Sequence, residues 1–449
     1  MPDARPYPAR MDSRPGRDRE RRGGTTAACI ALALATLAGP LGCAEGTQSP
    51  TAAADGTGGS SGSGSDAGGG SGDDAGGDGD ATGGDGDGDA TGGDGDATGG
   101  DGDGDATGGD GDATGGDGDG DGGGRRKPLT IQGSQVPAPQ TQFPVLVDIT
   151  DADLAAHAGA GGLDIYFEDA DGGVLPFERE SYDAATGALI AWVKMDLTGE
   201  DQDFYLHYGG GTTHERSTPT DVWTHGFAAV YHMDYGGGAG TQTDSTANAN
   251  HLSPPMASSE PVAAPGQVGD GLSFATANDM LRAPDHGSLD ITGALTLSLW
   301  ANKSATNPNH WETLIAKRIP PGENTNYQIG LGDDGSQRDL MFFDGSTIAI
   351  SSQTAPAGTW THMAIVVDAA TCSFYMGGVF YQSISSCDLS PNSGPLFVGG
   401  TDQEQDEPFY GALDEVRIAG VARSANWLLT EVNNQSGPGF IVVGAEQAL

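Results

Sequence analysis

Residues 294–303 have the sequence ALTLSLWANK, in which Leu295, Leu297 and Leu299 alternate with hydroxyl side chains. A period of two puts alternate side chains of a β-strand on the same face, so this pattern is typical of a strand with one buried face. We predict that the three leucines lie on the inner face of a sheet and that Trp300 lies on its outer face.

Further apolar runs of this kind predict that the whole region 227–445 is a β-domain. They recur about every ten residues and are separated by Gly, Pro, Asn or Asp, the residues of turns. About eleven strands are too many for a small barrel and fit a jelly roll made of two sheets. The runs are AAVYHMDY, GLSFA, ALTLSLWANK, TLIAKR, NYQIGLG, LMFFDG, WTHMAIVVDA, SFYMGG, VFYQSIS, PLFVGG and GALDEVRIAG.

A shorter region, residues 125–212, shows the same alternation and no helical period of useful length. Its runs are FPVLVDI, LDIYFED, ALIAWVKM and DFYLHYG. In the first of these, Phe143, Val145 and Val147 fall on one face. The sequence therefore predicts an all-β protein, with a small β-sandwich at 125–212 followed by a larger jelly roll at 227–445.

The charge balance excludes some partners, and the composition marks a linker. The chain has 20 Lys and Arg against 63 Asp and Glu, a net charge of −43, whereas nucleic-acid binding needs clustered basic residues.

Residues 55–124 contain 33 Gly, 19 Asp and no large apolar residue, so they cannot form a core. We predict that residues 44–124 form a disordered, extended Gly/Asp-rich linker. From Arg125 onward, 13 basic and 39 acidic residues leave a charge of −26 (13 − 39).

Residues 1–43 have the order of a secretory signal peptide. An Arg-rich segment precedes the apolar stretch 27–41, which is too short for a spanning helix and is interrupted by Pro40. The sequence Leu41-Gly42-Cys43 resembles the lipobox of bacterial lipoproteins, in which the cysteine becomes the lipidated N-terminus. We therefore expect an exported protein. It is either an outer-membrane or cell-surface lipoprotein, with a lipid on Cys43 as its only membrane contact, or a secreted protein.

Of the four cysteines, only Cys372 and Cys387 lie in the regions expected to fold. Two cysteines 15 residues apart in an exported protein predict one disulfide, and the alternative is two separate buried thiols. A hairpin centred on residues 377–378 would set Cys372 opposite residue 383. The chain after the hairpin must then fold back for Cys387 to reach Cys372.

The first region resembles a bacterial family, the domain of unknown function 2341. The resemblance rests on RRKPLTI at 125–131, FPVLVDIT at 143–150, DIYFEDADGGVLPFERESYD at 164–183, ALIAWVKM at 188–195 and FYLHYGGG at 204–211. The match covers the whole region in order. It implies no activity, because the family is defined by sequence alone.

The second region resembles the laminin-G-like, concanavalin A-like jelly rolls of exported bacterial proteins. The resemblance rests on AVYHMD at 229–234, DSTANANH at 244–251, GQVGDGLSF at 266–274, TLSLWAN at 296–302, GTWTHMAIVVD at 358–368, YMGGVF at 375–380 and GALDEVRIAGVARSANWL at 411–428. It implies a concanavalin-like two-sheet fold and a module that binds a ligand or has a structural role.

The same resemblance implies a structural calcium ion. Many relatives hold one calcium through the aspartate of the D-x-x-x-N stretch and an aspartate near the C-terminal strand. In this chain these positions are Asp244, with Asn248 or Asn250, and Asp414. Calcium prefers such hard oxygen ligands.

Strand phase supports a special role for Asp414 independently. In GALDEVRIA this residue is in phase with Val416 and Ile418, which predicts an inward-facing carboxylate. A buried carboxylate needs a cation or several hydrogen-bond donors. The alternatives are a carboxylate that only caps backbone N–H groups, and a strand phase that differs from the predicted one.

The regions expected to fold lack the familiar catalytic motifs: H-E-x-x-H, G-x-S-x-G, the P-loop and the E-x-D-x-E strand of jelly-roll hydrolases do not occur from residue 125 onward. Glu178, Glu180 and Asp183 are close together, as a carboxylate pair for glycoside hydrolysis would be. Alternation puts the two glutamates on one strand face, where we expect them to be solvated. His362, on a predicted strand, is expected to be a packed structural residue.

We therefore expect a non-enzymatic, surface-tethered binding module that recognises a glycan or another cell-surface ligand. Trp311, Tyr327, Tyr381 and Tyr410 are candidates for stacking on a sugar. One alternative is a structural or adhesion component that makes protein contacts. Another is a polysaccharide-degrading enzyme with an unrecognised site.

Overall fold

The computed structural model describes residues 123–211, 215–234, 240–305, 311–320, 324–332, 339–401 and 407–449. The predicted signal peptide, the lipidation site Cys43 and residues 44–122 of the predicted linker lie outside the described residues. The described residues all fall within one compact unit of the chain. None of the helices in this described part is both long and apolar enough to cross a membrane.

β-Strands dominate the described residues, as the alternating apolar runs predict. The first region contains β1 (Arg125–Ile131), β2 (Gln140–Thr150), β3 (Tyr166–Asp169), β4 (Val174–Leu175), β5 (Phe177–Asp183), β6 (Ala188–Leu197) and β7 (Gln202–Tyr208). The second contains β8 (Phe227–Tyr231), β9 (Val262–Pro265), β10 (Asp270–Phe274), β11 (Leu281–Ala283), β12 (Ala294–Lys303), β13 (Glu312–Ile319), β14 (Asn324–Gly332), β15 (Asp339–Phe343), β16 (Ile348–Thr354), β17 (Thr361–Asp368), β18 (Thr371–Met376), β19 (Val379–Ser385), β20 (Leu396–Val398) and β21 (Gly411–Ala419). The chain ends with β22 (Ile441–Val443) and β23 (Gln447–Ala448), and the helices are α1 (Ala152–His157), α2 (Pro219–Val222) and α3 (Ala425–Gln435).

The first region is a small β-sandwich, and the C-terminal end of the chain completes one of its sheets. That sheet has the strand order β22-β1-β7-β3-β4, with β23 also paired to β1, and the other has the order β2-β6-β5. Phe143, Val145 and Val147 are 1% exposed or less, so the predicted inward face of β2 is confirmed. β22 lies antiparallel to β1, with Val443 opposite Leu129. The apolar pattern does not predict this return of the chain to the first region.

Helix α1 is a further element that the apolar pattern does not predict. Asp151 caps its N-terminus, and Oδ1 of this residue accepts the N–H groups of Asp153 (2.9 Å) and Leu154 (3.2 Å). The cap satisfies N–H groups that have no partner within the helix. A helix of 6 residues makes fewer than two turns, too few for a hydrophobic period to be visible.

The second region is a jelly roll of two antiparallel sheets, as predicted. An eight-stranded sheet has the order β19-β18-β17-β12-β21-β10-β9, with β8 also paired to β21. A six-stranded sheet has the order β11-β20-β13-β14-β15-β16. Leu295, Leu297 and Leu299 of β12 are fully buried in the core that both sheets share, which confirms their predicted inner position.

The first β-sandwich and α3 cover the outer face of the eight-stranded sheet, and this limits where a ligand can bind. A second apolar core joins Ala364 and Val366 of that sheet to Trp192 of β6 and Trp427 of α3. The rings of Phe143 and Trp427 have centroids 4.8 Å apart. Burial of this apolar surface holds the two regions together. Within the described part of the chain, the six-stranded sheet contributes no residue to this second core.

A disulfide joins Cys372 and Cys387, with a Cα–Cα distance of 5.9 Å, which confirms the predicted pairing. In the hairpin of β18 and β19, Cys372 lies opposite Ile384 and not opposite residue 383. The reason is a bulge, which adds one residue to β19 and shifts the register. The N–H of Cys387 donates to the carbonyl of Ala370 at 3.1 Å, so the chain after the hairpin folds back as expected.

Candidate functional site

The predicted calcium ligand Asp244 lies after β8 and is 3% exposed. Its Oδ1 accepts the N–H groups of Val230 and Thr246, both at 3.0 Å. Its Oδ2 accepts the hydroxyl of Thr246 at 2.9 Å and the N–H of Asn250 at 2.8 Å. A carboxylate has about four lone-pair positions, so these contacts occupy all of them.

Asn248 and Asn250 lie in the same loop as Asp244 and bind the same strand. The side-chain Nδ2 groups of both asparagines donate to the carbonyl of Ala228 in β8, at 3.0 Å and 2.9 Å. The structure thus brings three of the predicted ligands together. Their contacts fasten this loop to β8 through hydrogen bonds to backbone groups.

The remaining predicted ligand, Asp414, lies on β21, and none of the contacts described for it involves Asp244. Its Oδ2 accepts the N–H groups of Gln267 (2.7 Å) and Val268 (2.8 Å). Its Oδ1 accepts the N–H of Glu415 at 2.8 Å. Burial, together with the neighbouring charge of Glu415, raises the pKa of Asp414 well above its usual range.

Asp414 does not share a face with Val416, so the predicted strand phase is wrong. Leu413 and Val416 both enter the core between the sheets, and a bulge between them shifts the register against β12. Glu415 in the bulge has a φ of 49°, in the left-handed region that side chains rarely adopt. The bulge turns Asp414 to the outer face of the eight-stranded sheet.

The groups around Asp244 do not fit a calcium ion as they stand. Calcium takes about six to eight oxygen ligands, and the donors that now bind Asp244 would have to be displaced for its oxygens to contribute. The observed contacts of Asp244 are those of a carboxylate that caps backbone N–H groups. The structural calcium ion stays a prediction of the family resemblance.

A group of charged side chains is enclosed where the first sandwich covers the eight-stranded sheet. We call this group the interface cluster. Its side chains are between 1% and 11% exposed, and they come from β5, the residue after β8, β21 and α3. The members are Glu178, Glu180, His232, Glu415, Arg417 and Glu431.

Glu178 and Glu180 belong to this cluster, so the prediction that they are solvated is wrong. Glu178 accepts the indole N–H of Trp223, and Glu180 accepts the indole N–H of Trp192 at 2.8 Å. The jelly roll covers this part of β5, which a local alternation pattern cannot reveal. Asp183 lies apart from them at the exposed end of β5, where its carboxylate binds the turn that follows.

His232 contacts three carboxylates of the cluster. Its Nδ1 lies 2.7 Å from Glu415 Oε1 and 3.5 Å from Glu180 Oε2, and its Nε2 lies 3.1 Å from Glu178 Oε2. Burial alone would lower the pKa of the imidazole, but the charges of Glu415 and Glu178 are the main influences that outweigh it, and they raise that pKa well above its usual range. His232 is therefore a buried imidazolium whose two ring nitrogens both donate.

Arg417 supplies the second positive charge of the cluster. Its Nη2 donates to Glu415 at 2.6 Å, and its Nη1 donates to Glu431 at 3.1 Å. Its guanidinium carbon lies 4.5 Å from the ring centroid of Trp192 and 4.9 Å from that of Trp223, within cation–π range. Arg417 thus links β21 and α3 to two tryptophans on the side of the first sandwich.

The interface cluster has the chemistry of a buried charge network. Burial raises the pKa of Glu180 to about 8, so this carboxyl is largely protonated at neutral pH. Glu180, His232 and Glu415 have potential ligand atoms within 4.8 Å of one another. In the described contacts these atoms are engaged with one another, with Nδ1 of His232 2.7 Å from Glu415 Oε1 and 3.5 Å from Glu180 Oε2. The contacts therefore support a role in joining the two regions.

A second group of polar side chains lies on the outer face of the six-stranded sheet, where Gln328 alternates with core residues of β14. The Oε2 of Glu407 accepts Thr313 Oγ1 (2.9 Å), Gln328 Nε2 (3.0 Å) and Arg318 Nη1 (3.3 Å). The N–H of Thr313 also donates to the carbonyl of Glu407 at 2.9 Å. Among the residues that the structure describes, the buried side-chain carbonyl of Gln328 has no hydrogen-bond partner.

The indole of Trp311 packs against the sheet at Gly332. A Cβ on Gly332 would lie 2.6 Å from Cζ3 of Trp311, so only glycine leaves room for the ring. Trp311 is half-buried and lies two residues before Thr313. We call the following residues the sheet-face group: Trp311, Thr313, Arg318, Gln328 and Glu407.

The other aromatic candidates differ in exposure. Tyr327 is fully buried and its hydroxyl donates to a backbone carbonyl at 3.2 Å, so it cannot stack on a ligand. Tyr381 is 45% exposed on β19, and Tyr410 is half-buried before β21. His362 of β17 is 1% exposed and its ring lies 5.3 Å from that of Trp300, as expected for a packed residue.

Part of the chain matches a known family. Residues 275–428 match the laminin-G-type model of the concanavalin A-like lectin/glucanases superfamily. The matched segment contains the whole sheet-face group and strands β11 to β21. No curated protein has a significant match to the chain.

Three solved structures resemble part of the chain. Domain 4 of AbnA, a GH43 extracellular arabinanase from Geobacillus stearothermophilus in complex with arabinotriose, is 24% identical, with a TM-score of 0.37 over 46% of this chain and 98% of that chain. The binding domain of Paraclostridial Mosquitocidal Protein 1 is 16% identical, with a TM-score of 0.37 over 46% of this chain and 52% of that chain. Trypanosoma rangeli sialidase is 10% identical, with a TM-score of 0.37 over 55% of this chain and 42% of that chain. At these TM-scores the likenesses carry no argument about function.

The two-sheet topology and the family match agree on the same residues. The core between the sheets lies largely within the matched segment, and the polar and aromatic residues of the sheet-face group lie on its outside. The chain therefore contains a concanavalin A-like lectin/glucanase domain at residues 275–428.

Proposed function

We propose that the protein is a non-enzymatic binding module that recognises a glycan through the sheet-face group. The observation that carries this proposal is that a half-buried indole lies on the same outer face of the six-stranded sheet as the Glu407 carboxylate and the Arg318 guanidinium, which are hydrogen-bonded to each other. The outer face of the other sheet lies under the first sandwich. Ligand sites typically combine apolar or aromatic surface with a few fixed polar groups, as this face does.

The members of the sheet-face group have different parts in this proposal. The ring of Trp311 stacks on the apolar face of a sugar, and Arg318 and Glu407 exchange hydrogen bonds with its hydroxyl groups. Thr313 and Gln328 are 0% and 2% exposed, so in this proposal they hold the Glu407 carboxylate in place and do not themselves contact the sugar. The charge of −26 (13 − 39) beyond residue 124 favours a neutral glycan over an acidic one.

The proposal assigns binding and not hydrolysis. Glycoside hydrolysis uses a pair of carboxyl groups about 5–9.5 Å apart. The sheet-face group has a single carboxylate, Glu407, which three side-chain donors already hold.

A glycan array probed with the full-length chain, followed by calorimetry with any glycan that binds, tests the proposal. We expect Trp311→Ala to weaken binding at least about ten-fold, equivalent to ~1.4 kcal/mol. Tyr381→Ala is the matched control, because it removes an exposed aromatic ring from β19, and we expect it to leave the affinity unchanged. Binding to no glycan, an equal loss in both variants, or release of hydrolysis products would each contradict the proposal.

We propose further that the protein is exported and held at the cell surface by a lipid on Cys43. The lipobox-like sequence before Cys43 and the long Gly/Asp-rich spacer support this, since such a spacer would keep the binding domain away from the membrane. Metabolic labelling with a radioactive fatty acid measures the modification. We expect Cys43→Ser to abolish the label, and a label that persists in this variant would contradict the assignment.

A second candidate function, adhesion through protein contacts, is favoured by the exposure of β19. Val379, Phe380 and Tyr381 are 53%, 49% and 45% exposed at the edge of the eight-stranded sheet. Contiguous exposed apolar side chains mark interaction surfaces. Cross-linking to cell-envelope extracts compares the wild type with Phe380→Ser. A cross-linked partner that is lost in this variant would support adhesion over glycan binding.

A further inference from the structure

A cleft of about 490 Å³ lies beside the C-terminal end of α3, where the first sandwich meets the jelly roll. Its lining includes Asp148 and Thr150 of β2 and Ile441 and Val443 of β22, with Gln267 and the segment after α3. Its volume is typical of ligand sites, which hold about 300–1,000 Å³. The cleft belongs neither to the interface cluster nor to the sheet-face group.

The edge of β2 that faces away from β6 has unused hydrogen-bonding groups. The N–H of Asp151 donates to Gly187, the residue before β6, at 3.1 Å, so the odd-numbered residues of β2 pair with β6. The even-numbered residues therefore face the other edge. Pro144 has no N–H to present there. The N–H of Leu146 donates to Oδ1 of Asn434 at 2.7 Å, and its carbonyl accepts Nδ2 of the same side chain at 3.1 Å.

The side-chain amide of Asn434 thus binds β2 as a neighbouring strand would. A residue in an adjacent antiparallel strand likewise accepts from and donates to one residue of its partner. Further along the same edge, Asp148 and Thr150 each present one N–H and one C=O, and no described hydrogen bond satisfies these groups. Another strand would therefore pair with β2 along the edge that the side chain of Asn434 already contacts.

A second strand edge lines the same cleft. The carbonyl of Phe440 and the N–H of Gly444 make hydrogen bonds of 2.9 Å and 2.8 Å to the chain of β1 and the residue after it. The even-numbered residues of β22 therefore pair with β1. The backbone groups of Ile441 and Val443 face away from β1, and both residues line the cleft. The cleft therefore offers backbone donors and acceptors from two sheets.

Asp148 gives the cleft a negative charge. Partial burial raises the pKa of its carboxyl, and no cation in the described part of the chain acts to lower it. A positively charged ligand side chain beside Asp148 would stabilise the carboxylate. Charge complementarity therefore favours a basic ligand.

We propose that this cleft binds an extended peptide segment of a partner protein, which adds to β2 as a further strand and places a lysine or arginine against Asp148. The peptide pairs with the backbone groups of Asp148 and Thr150 along the edge that the side chain of Asn434 already contacts, as in β-strand addition. The site is separate from the proposed glycan surface, so either proposal can fail without the other.

Fluorescence anisotropy of a labelled synthetic peptide with the full-length chain tests this site. The probe is a short peptide of alternating threonine and valine with a central lysine, because β-branched residues favour an extended strand. One matched peptide has glutamate in place of the lysine, and another has every peptide nitrogen methylated. We expect the glutamate peptide to bind at least about ten-fold more weakly. The methylated peptide, which has no backbone donor, should not bind.

Three variants separate backbone pairing from charge recognition. Thr150→Pro removes one N–H from the free edge, as Pro144 already does in the same strand, and Thr150→Val keeps that N–H. We expect the lysine peptide to bind Thr150→Pro at least about ten-fold more weakly than Thr150→Val. Asp148→Asn should make the lysine and glutamate peptides bind equally.

Several results would overturn the proposal. One is no binding of the lysine peptide at about 1 mM, the weak end of specific affinities. Others are binding of the methylated peptide, or equal affinity in Thr150→Pro and Thr150→Val. Melting curves of all three variants establish that they are folded before binding is compared.

Discussion

Replacing Arg417 by methionine removes the guanidinium that joins Glu415 to Glu431 in the interface cluster. The side chains of these glutamates are 1% and 4% exposed. Burial alone would raise the pKa of Glu431, but the positive charge of Arg417 is the main influence that outweighs it and lowers that pKa to about 2. Removing one partner of a buried ion pair leaves the other charge uncompensated, which costs ~3–5 kcal/mol. We expect the free energy of unfolding to fall by this amount.

Urea unfolding followed by tryptophan fluorescence measures the change, because the Arg417 guanidinium lies against the indoles of Trp192 and Trp223. Arg282→Met is the matched control, since Arg282 is an exposed arginine on β11, and it should cost less than ~0.5 kcal/mol. Adding Glu431→Gln to Arg417→Met removes the carboxylate charge that the loss of Arg417 leaves unpaired. This double variant should regain at least ~1 kcal/mol.

Two results would refute this reasoning. A loss below ~1 kcal/mol in Arg417→Met would mean that the charges of the cluster are not both paired and enclosed. A double variant no more stable than Arg417→Met alone would mean that the loss comes from packing over the indoles and not from the unpaired carboxylate.

Three further predictions concern protonation, the disulfide and calcium. The pKa of Glu180 is about 8 in the folded chain against an ordinary 4.5, so the folded chain binds this proton more tightly than the unfolded chain does. The free energy of unfolding should therefore fall as the pH rises from about 5 to 8. Urea titrations at several pH values measure this fall, and Glu180→Gln should flatten it. Replacing Cys372 and Cys387 together by serine should lower the free energy of unfolding by ~3 kcal/mol in the same assay, because the disulfide spans 15 residues. Calcium should leave the melting temperature of the full-length chain unchanged relative to chelator, because hydrogen-bond donors already occupy the carboxylate oxygens of Asp244. A calcium-dependent rise in the melting temperature that Asp244→Ala abolishes would instead establish the predicted ion.

The architecture was predictable because burial of one strand face leaves a period of two in the sequence. Leu295, Leu297 and Leu299 of β12 and Phe143 of β2 all lie inward as their alternation predicts. Such a pattern is local, so it holds wherever a strand runs without interruption. It fails at Asp414, because the bulge at Glu415 reverses the phase and nothing in the residue types marks that bulge.

The contacts that join the two regions could not be predicted from local sequence. Glu178 and His232 are 54 residues apart, and His232 and Glu415 are 183 residues apart. The sequence shows carboxylates on two strands but not that these strands enclose one imidazole. Trp311 of the sheet-face group was a candidate on residue type alone, whereas Glu407 reaches the same face only through the loop before β21.

Hydrogen exchange detected by mass spectrometry, with and without a glycan that binds on the array, tests the central claim most directly. The claim is that the outer face of the six-stranded sheet is the ligand surface of this domain. We predict that ligand slows exchange in β13 and β14, the strands that carry Thr313 and Gln328. Slowing confined to β19 or to the first sandwich, or no slowing in any peptide, would contradict the claim.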